Sequence, residues 1–264
     1  MHSKDLSWLS RSELLIGTEG IQKLQSAHIL IVGLGGVGSF AAEFIARAGI
    51  GTMTIVDGDV VDPTNRNRQL PALATNHGVA KVKIMAERLM AINPDLVLHA
   101  HETFLSPEAA KEILETTHFD YVMDCIDSVT PKLTLLKTAY DLELKIVSSM
   151  GAGGKMDPTK LRTTDLLDTR ECYLAALVRK RIRRLGVGRG IKAVFSLEKV
   201  RDESLILTDG SNYKKSAYGT ISYLPAAFGG ACASVVIRDI LDEEIPMEKR
   251  LKAHMNLGRK PKKQ

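Results

Sequence analysis

Length, composition and charge exclude several classes of protein. The chain has 264 residues, 44% hydrophobic and 25% charged, which is typical of a globular protein and not of a disordered or fibrous one. Its three cysteines are too few for a disulfide framework, and none forms a Cys-x-x-Cys pair, which argues against a thiolate zinc site. The opening residues lack the apolar run of a signal peptide. We therefore expect a cytoplasmic protein without zinc.

The basic residues are concentrated in two segments, although the net charge is only +5. Residues 160–201 hold twelve lysines and arginines against four acidic residues, and residues 250–264 hold six against none. Clustered positive charge attracts polyanions, so these segments suggest a partner rich in phosphate. Solvated charge on a helix face is the alternative.

Apolar runs and amphipathic segments alternate between residues 27 and 148. Strands are predicted at Ala27–Val32, Thr52–Val56, Asp95–Ala100, Phe119–Cys125 and Leu144–Ser148. Helices are predicted at Val37–Ala48, Asn76–Asn93, Pro107–Thr116 and Pro131–Asp141. This alternation predicts an α/β, Rossmann-like, doubly wound fold with a mainly parallel sheet and helices on both faces.

The rest of the chain is less regular and is predicted to be a C-terminal α/β extension of one domain, residues 1–264. An amphipathic helix with a basic outer face is predicted at Cys172–Leu185, and a strand at Lys192–Glu198. Residues 216–237 carry no formal charge, about the length of a membrane helix. Because they include a proline and several glycines, we interpret Ala226–Leu241 as a buried core or dimer-interface helix. No stable membrane insertion is expected.

A glycine-rich turn follows the first predicted strand and opens the first predicted helix. Its glycines are Gly33, Gly35, Gly36 and Gly38. Glycines let the backbone turn tightly and approach a phosphate, while the helix N-terminus supplies N–H groups and positive potential. Asp57 ends the next strand, where a carboxylate can bind ribose hydroxyls. The turn predicts nucleotide binding, and taken alone it favours a nicotinamide or flavin dehydrogenase.

The residues after Asp57 favour a triphosphate instead. Residues 57–69 are dense in polar groups, where a dehydrogenase would continue into a helix. Arg68 and Lys81 can neutralise phosphate charge, and Asp127 can hold Mg²⁺. These residues therefore suit a triphosphate with its Mg²⁺ ion better than a hydride carrier.

Together these residues resemble the ubiquitin-activating-type adenylating enzymes, which include activators of the bacterial molybdopterin and thiamine pathways. The family pattern is GxGGxGS, DxDxVxxxNxxRQ, a lysine and D-C-x-D. In this chain it falls at Gly33–Ser39, Asp57–Gln69, Lys81 and Asp124–Asp127. The match covers about residues 9–150, which the resemblance implies to be the ATP-binding core. About residues 151–264 would then face the substrate and form a dimer.

The resemblance implies roles for individual residues. Those implied to act in catalysis are Arg11, Arg68, Lys81 and Asp127. Those implied to bind the nucleotide, besides the four glycines, are Asp57, Asp59, Asn65, Arg68, Gln69 and Lys81. Asp57 would bind ribose, Asp127 would place Mg²⁺, and Arg11 would enter the ATP site of a partner, so a homodimer is expected. Alternatively, Arg11 and Lys81 lie on the surface and Asp59 only caps the loop.

The second half of the chain resembles one branch of that family. Sulfur-carrier activators contain a paired Cys-x-x-Cys zinc motif, which this chain lacks. Residues 148–158, 178–184 and 219–229 instead resemble the tRNA threonylcarbamoyladenosine dehydratases. That resemblance implies that ATP activates the threonyl carboxylate of N6-threonylcarbamoyladenosine at tRNA position 37, and that the ureido group then closes on the carbonyl and releases AMP. A Na⁺ or K⁺ ion near residues 150–170 is also implied, and a cysteine-desulfurase or sulfur-acceptor partner is left open.

The predicted helix at Cys172–Leu185 is suited to an RNA substrate. Its apolar stripe consists of Leu174, Val178, Ile182 and Leu185. The cations predicted to contact tRNA phosphates are Arg179, Lys180, Arg183 and Arg184. Such contacts give salt-dependent affinity with little sequence readout.

The cysteines leave the covalent chemistry open. Ubiquitin-type activators transfer the acyl group to a thiolate, and Cys172 lies in the right region, but its neighbours in the sequence offer no partner base. We interpret Cys232 as a buried packing residue and Cys125 as strand core. Cyclisation within one molecule needs no covalent enzyme intermediate.

An ATP-dependent tRNA-modifying cyclase is the leading hypothesis. A second hypothesis keeps the adenylation but activates a ubiquitin-like sulfur-carrier protein; the missing zinc motif and the two basic segments count against it. A third is a nicotinamide-dependent oxidoreductase, which the triphosphate-type residues oppose. A non-catalytic binding module would not need candidates at every ATP position.

Overall fold

A seven-stranded sheet forms the centre of the computed structural model, which describes residues 5–207 and 216–248. Its strands are β1 His28–Val32, β2 Thr52–Val56, β3 Val97–His101, β4 Tyr121–Asp124, β5 Ile146–Ser149, β6 Leu161–Asp165 and β7 Lys192–Ser196. Their order is β3-β2-β1-β4-β5-β7-β6, and only β6 pairs in the antiparallel sense. A separate antiparallel pair consists of β8 Leu205–Leu207 and β9 Ser216–Tyr218. The basic segment 250–264 lies outside the described residues.

Helices cover both faces of the sheet. They are α1 Ser10–Ser26, α2 Gly38–Arg47, α3 Lys81–Ile92, α4 Pro107–Thr116, α5 Val129–Asp141, α6 Tyr173–Arg184 and α7 Tyr223–Ile240. One apolar core lies between the sheet and α2, α3 and α7, and a second lies between the sheet and α4, α5 and α6. The strand order and the two cores confirm the predicted Rossmann-like α/β fold.

Two helices differ from the prediction. The sequence pattern missed α1, which is kinked at Gly17 (φ +72°) and buries only Gly20, Ile21 and Leu24. The helix predicted from Asn76 begins at Lys81. Residues 76–80 instead follow the preceding loop, because the N–H of Gly78 and the carbonyl of Val79 hydrogen-bond to the backbone of Val61.

The uncharged segment near the C-terminal end of the described chain forms a core helix. Leu224, Phe228, Cys232 and Val236, on one side of α7, are all buried. Within residues 5–207 and 216–248, no helix combines the length and apolar character needed to span a membrane. Helix α7 therefore packs inside the domain, as predicted for Ala226–Leu241.

Candidate active site

The glycine turn between β1 and α2 is tightly closed. Gly33 has a φ of +89°, in the left-handed region that favours glycine. A β-carbon at Gly38 would lie 1.7 Å from the carbonyl oxygen of Gly33, so no larger residue fits there. At Gly35 a β-carbon would meet only the side-chain nitrogen of Gln69, at 3.8 Å. The backbone at Gly35 is therefore open to a ligand, as a phosphate-binding turn requires.

This turn lies where the strand order reverses, because β1 has β2 on one side and β4 on the other. A β-carbon at Gly33 would lie 3.0 Å from the carbonyl oxygen of Cys125, the residue that follows β4. In open α/β sheets, ligands bind outside the carboxyl ends of the strands at such a switch point. The glycine turn and the D-C-x-D motif thus meet at the position where this fold binds nucleotides.

Helix α7 connects the C-terminal half of the chain to this turn. A β-carbon at Gly36 would lie 2.9 Å from Cβ of Pro225, and one at Gly229 would lie 2.6 Å from the carbonyl oxygen of Val37. Gly36, which precedes α2, and Gly229, on α7, therefore allow the start of α2 to pack closely against α7. The N-terminal end of α7 therefore packs against the glycine turn.

Asp57 fixes the turn from the end of β2. Its Oδ2 accepts the N–H of Leu34 at 2.5 Å, and its Oδ1 accepts the N–H of Asp59 at 2.7 Å. Burial raises the pKa of the Asp57 carboxyl, although the ammonium of Lys81 and these two N–H groups act in the opposite direction. The side chain is thereby held beside the glycine turn, where a ribose hydroxyl can reach it.

Lys81 is a buried cation at the start of α3. Its Nζ donates to Oδ2 of Asp59 at 2.9 Å, and its side chain is 5% exposed whereas that of Asp59 is 45% exposed. Lys81 therefore does not lie on the surface. Asp59 does more than cap the loop, because its carboxylate holds the ammonium group in place.

A short 3₁₀ helix at Pro63–Asn65 follows Asp59 in the chain. Oδ1 of Asn65 accepts the N–H of Asp62 at 3.1 Å, while the Asp62 carboxylate accepts the N–H of Thr64 at 2.8 Å. The Asn65 side chain thus stabilises its own loop through its oxygen, which leaves its amide nitrogen as the group suited to a phosphate oxygen.

Arg68 is half-buried on the same loop. Its Nη1 donates to the carbonyl oxygen of Thr64 at 3.0 Å and to Oδ1 of Asn67 at 2.9 Å. Burial lowers the pKa of the guanidinium, and the negative charge of Asp127 opposes that shift. The charges of Arg68 and Asp127, which belong to two separate loops, are therefore close enough to interact, as the ATP hypothesis expects.

Gln69 has an unsatisfied oxygen. Its Oε1 is buried and has no hydrogen-bond partner among the described residues, although buried polar atoms are usually paired. Its Nε2 is the side-chain atom nearest to the open side of Gly35. An unpaired acceptor beside the turn fits a donor group on a bound ligand, such as a hydroxyl or an amino group.

A buried ion pair, which the sequence analysis missed, fixes the D-C-x-D motif. Nζ of Lys132 lies 2.5 Å from Oδ2 of Asp124, and neither side chain has any exposure. Lys132 also donates to Oγ of Ser148 at 3.1 Å and to the carbonyl oxygen of Ser149 at 3.0 Å. Because Oδ1 of Asp124 accepts the N–H of Ile126 at 3.1 Å, the pair ties the loop before Asp127 to the end of β5.

The sequence contains a signal for this pair. Lys132 is followed at four and seven residues by Leu136 and Ala139, which are buried on α5. A lysine on the apolar face of a helix needs a buried partner. Asp124, at the end of an apolar strand, was the available carboxylate.

Arg11 lies away from the glycine turn of its own chain. Leu9, two residues earlier, packs against Gly49, which precedes the amino end of β2. Gly33 follows the carboxyl end of β1, so Gly49 and Gly33 lie at opposite ends of the parallel strands. Arg11 is exposed. Its entry into the ATP site of another subunit stays a prediction.

Helix α6 presents most of the predicted tRNA-binding cations to solvent. Lys180, Arg183 and Arg184 are exposed. Arg179 is partly buried, and its Nη1 donates to Oγ1 of Thr169 at 2.6 Å. This guanidinium therefore also stabilises the segment that precedes α6. Three of the four predicted cations are therefore exposed on α6, and the fourth, Arg179, also binds within the domain. Arg181, which was not among the four, is exposed as well.

The apolar stripe of α6 differs from the prediction at its end. Val178 and Ile182 are buried as expected, together with Ala175. Leu185 is 48% exposed, so its assignment to the stripe is wrong. The helix ends at Arg184, and the chain turns so that Val187 fills the core position instead.

The surroundings of the three cysteines show how each thiol is used in the structure. Sγ of Cys172 accepts the N–H of Ala175 at 3.5 Å and so caps α6. Burial raises the pKa of the Cys232 thiol to about 12 and also raises that of Cys125 well above its ordinary value. Cys125 and Cys232 are therefore protonated at neutral pH and poor nucleophiles.

These features define a Rossmann-type nucleotide-binding protein whose site combines a glycine turn, a ribose-type carboxylate and two buried or half-buried cations. Comparison with known proteins gives the family. A model of the ThiF family matches residues 9–261, and the chain belongs to that family.

Relatives and solved structures agree with this assignment. The chain is 36% identical over 247 residues to a Bacillus subtilis tRNA threonylcarbamoyladenosine dehydratase, an alignment that covers 90% of this chain and 96% of the relative. It superposes with a TM-score of 0.81 and 35% identity on an E. coli tRNA N6-threonylcarbamoyladenosine dehydratase in complex with ATP, covering 91% of this chain and 97% of that one. A structure of the E. coli enzyme with AMP gives a TM-score of 0.80 over 90% of this chain.

The comparisons also decide between the hypotheses drawn from the sequence. The relatives that span most of the chain are ATP-binding enzymes of tRNA modification, and none of the matches described supports a nicotinamide-dependent oxidoreductase. The resemblance to adenylating enzymes is confirmed. The roles of the individual site residues stay predictions.

Proposed function

We propose that this chain is an ATP-dependent tRNA threonylcarbamoyladenosine dehydratase. The observation that carries the proposal is the convergence of Asp57, Arg68, Lys81 and Asp127 around an open glycine turn at the switch point of the sheet. A hydride-transfer enzyme needs no such set of phosphate-directed charges. Relatives at 36% identity over nearly their whole length carry this activity in their names.

The proposed reaction consists of two displacement steps. A threonyl carboxylate oxygen attacks the α-phosphorus of ATP, and pyrophosphate leaves. A ureido nitrogen of the same nucleoside then attacks the acyl carbon, loses its proton and expels AMP. The net change is loss of one water from the nucleoside, driven by cleavage of ATP. Adenylation is necessary because a free carboxylate has no good leaving group.

The chain's own residues supply binding and charge in this scheme. The Asp57 carboxyl accepts a ribose hydroxyl, and the N–H groups of the turn around Gly35 face the phosphates. The guanidinium of Arg68 and the ammonium of Lys81 neutralise negative charge that develops on the phosphates as pyrophosphate leaves. For the ammonium of Lys81 to do so, it must contact a phosphate in addition to Asp59 or in place of Asp59.

Magnesium fits the donor set. Mg²⁺ is usually held by one or two carboxylates together with substrate phosphates, and the charge interaction of Asp127 with Arg68 supports Asp127 as such a carboxylate. When bound, the ion would offset phosphate charge and orient the triphosphate. The described residues contain no cluster of three or more acidic, histidine or cysteine ligands, so the ion would depend on the nucleotide for its remaining ligands.

A Na⁺ or K⁺ ion near residues 150–170 is a further part of the proposal. In that region Nζ of buried Lys155 donates to the carbonyl oxygens of Glu171, at 2.7 Å, and Ser196, at 2.9 Å. Because an ammonium already occupies these two oxygens, a monovalent ion in this loop would need other ligands.

The tRNA is proposed to lie along the exposed face of α6. Charge reversal of Arg183 and Arg184 to glutamate should weaken tRNA binding and reduce its salt dependence, because each lost phosphate contact removes about one unit of the salt slope. Reversal of Lys111 and Lys145, also exposed, changes the net charge equally and should have little effect. Equal losses in the two double variants would exclude α6 as the tRNA surface.

A homodimer is proposed to complete the site. Leu14 and Leu15 on α1 are 84% and 85% exposed, which is costly for leucines side by side unless another surface covers them. They lie one turn from Arg11, which is exposed and is proposed to enter the ATP site of another subunit. A second copy of this chain would cover the leucines and receive the arginine.

Cytoplasmic localisation follows from the proposed tRNA substrate. A cysteine-desulfurase or sulfur-acceptor partner is retained as a hypothesis from the family resemblance.

The proposal is tested by incubating the protein with ATP, Mg²⁺ and tRNA that either contains or lacks N6-threonylcarbamoyladenosine. AMP should form only with the modified tRNA, and the nucleoside should lose the mass of one water. AMP that forms equally without the modification would overturn the tRNA assignment and favour activation of a sulfur-carrier protein. Absence of any nucleotide turnover would contradict adenylation itself.

A further inference from the structure

Tyr173 and Tyr218 have parallel rings. The ring centroids of Tyr173 and Tyr218 lie 6.2 Å apart, and the ring planes differ by only 6°. Tyr173 is the first residue of α6 and is 54% exposed, whereas Tyr218 ends β9 and is partly buried. A large aromatic face is thereby presented to solvent from a helix end, although a folded protein gains more by burying it.

The tyrosine pair is connected to the ATP site by short contacts. A β-carbon at Gly153 would lie 2.7 Å from Cβ of Tyr218, and the N–H of Gly154 donates to the carbonyl oxygen of Gly219 at 2.8 Å. One residue further, the carbonyl oxygen of Thr220 accepts Nδ2 of Asn67 at 2.8 Å. Asn67 also contacts Arg68. The tyrosine pair and the loop that carries Asn67 and Arg68 therefore belong to one continuous surface.

The same helix continues the surface with positive charge. Tyr173, Leu177, Lys180 and Arg184 follow each other at spacings of four, three and four residues, so they lie on one side of α6, and all four are exposed. Along the helix axis, Tyr173 and Arg184 are separated by about 16 Å. An exposed aromatic ring at the first turn of the helix and cations toward its other end match a polyanion with one unstacked base.

We propose that an unpaired base of the RNA substrate stacks on the ring of Tyr173. The inference deepens the proposed function and depends on it, because it supposes an RNA substrate. Aromatic rings bind unpaired bases by stacking and cannot do so with bases held in a duplex, while Lys180, Arg183 and Arg184 bind phosphates of either form. Tyr173 therefore selects a single-stranded loop, and the cations of α6 supply affinity without that selection.

The test compares Tyr173→Phe, which keeps the ring, with Tyr173→Leu, which removes it. Both full-length variants are titrated with an RNA hairpin that has an unpaired loop and with a fully paired RNA duplex containing the same number of phosphates. The wild type and Y173F should bind the hairpin more tightly than the duplex. Y173L should lose roughly tenfold in hairpin affinity, the usual loss for one stacked base, with unchanged duplex affinity. The KM for modified tRNA should rise similarly at unchanged kcat.

The outcomes separate this inference from the proposed function. A Y173L variant that keeps its hairpin preference, or loses affinity for both RNAs equally, would overturn the stacking role while leaving the dehydratase proposal intact. A wild type that binds neither RNA would overturn both. The R183E/R184E variant should lose affinity for both RNAs, and a loss confined to the hairpin would contradict the division of roles.

Discussion

The ammonium of Lys81 lies 2.9 Å from a carboxylate oxygen of Asp59, and of the two side chains only that of Asp59 has substantial exposure. A buried lysine that is held by a partly solvated aspartate is ordered before any ligand binds. Asp59 itself follows Asp57, whose Oδ1 accepts the N–H of Asp59. The residues proposed to contact ribose and phosphate are therefore linked through residues 57–59 and the start of α3.

Replacement of Lys81 by alanine should lower kcat/KM for ATP by about 10² to 10³, because a cation directed at developing phosphate charge is lost. The protein should stay folded, since Asp59 is partly solvated and is not left as a buried unpaired charge. ATP-dependent AMP formation with modified tRNA measures the effect. Lys83→Ala is the matched control on the exposed side of α3 and should behave as the wild type. Equal activity of both variants would remove Lys81 from the site.

Two glycine substitutions should separate folding from binding. Gly38→Ala places a β-carbon 1.7 Å from the Gly33 oxygen and should destabilise the fold by about 3 kcal/mol. Gly35→Ala meets only a flexible side chain at 3.8 Å, so its melting temperature should be unchanged, while ATP affinity falls on the order of tenfold through a lost contact to a charged group. Thermal melts and nucleotide titrations distinguish the two. A G35A variant with full ATP affinity would show that phosphates do not approach this turn.

Replacement of Lys132 by methionine should destabilise the protein by about 3 to 5 kcal/mol, because it leaves Asp124 as an unpaired buried charge. Combining it with Asp124→Asn should cost less than the sum of the two single changes. Urea unfolding provides the measurement. Lys137→Met, on the same helix, breaks only the surface pair with Asp141 and should change stability by less than about 1 kcal/mol. Strict additivity in the double variant would mean that the two side chains do not interact.

Several features of the fold and site were predictable from the sequence. The alternation of Ile29–Val32 and Thr52–Val56 with helical segments fixed the sheet, and the spacing from Gly33 to Asp57 located the turn. Helix α1 was not predictable, because Leu14 and Leu15 face solvent and break the amphipathic pattern. The Lys132 pair and the tyrosine pair were also missed. The signal for the first was Lys132 on the apolar face of α5, whereas the tyrosine pair depends on a contact between distant segments that no local pattern encodes.

The stability contributed by Glu43 should depend on pH. Burial raises the pKa of this carboxyl, but the guanidinium groups of Arg88 and Arg47 lower it more, and the net pKa lies below its ordinary 4.5. A carboxyl whose pKa is lowered on folding stabilises the fold at pH values above its unfolded-state pKa. It loses that contribution as the pH falls through its folded-state pKa. Glu43→Gln should therefore cost about 1 kcal/mol at pH 7, with a shrinking difference from the wild type in acid. A difference that is constant with pH would exclude the ion pairs as its source.

Arg11 should act on the ATP site of the partner. Arg11→Ala and Lys81→Ala variants should each be nearly inactive alone. If subunits exchange freely on mixing, half of the dimers are mixed and one of their two sites is intact, so about a quarter of the wild-type activity should return. Activity that stays at the level of the separate variants would contradict completion of the site by a second subunit.

The central claim is that ATP activates the threonyl carboxylate as an acyl-adenylate. It is tested most directly with tRNA whose N6-threonylcarbamoyladenosine carries ¹⁸O in that carboxylate. One ¹⁸O atom is expected in the phosphate of the released AMP, because the attacking oxygen stays on phosphorus when the ring closes. Unlabelled AMP, or label found in inorganic phosphate together with ADP, would contradict it.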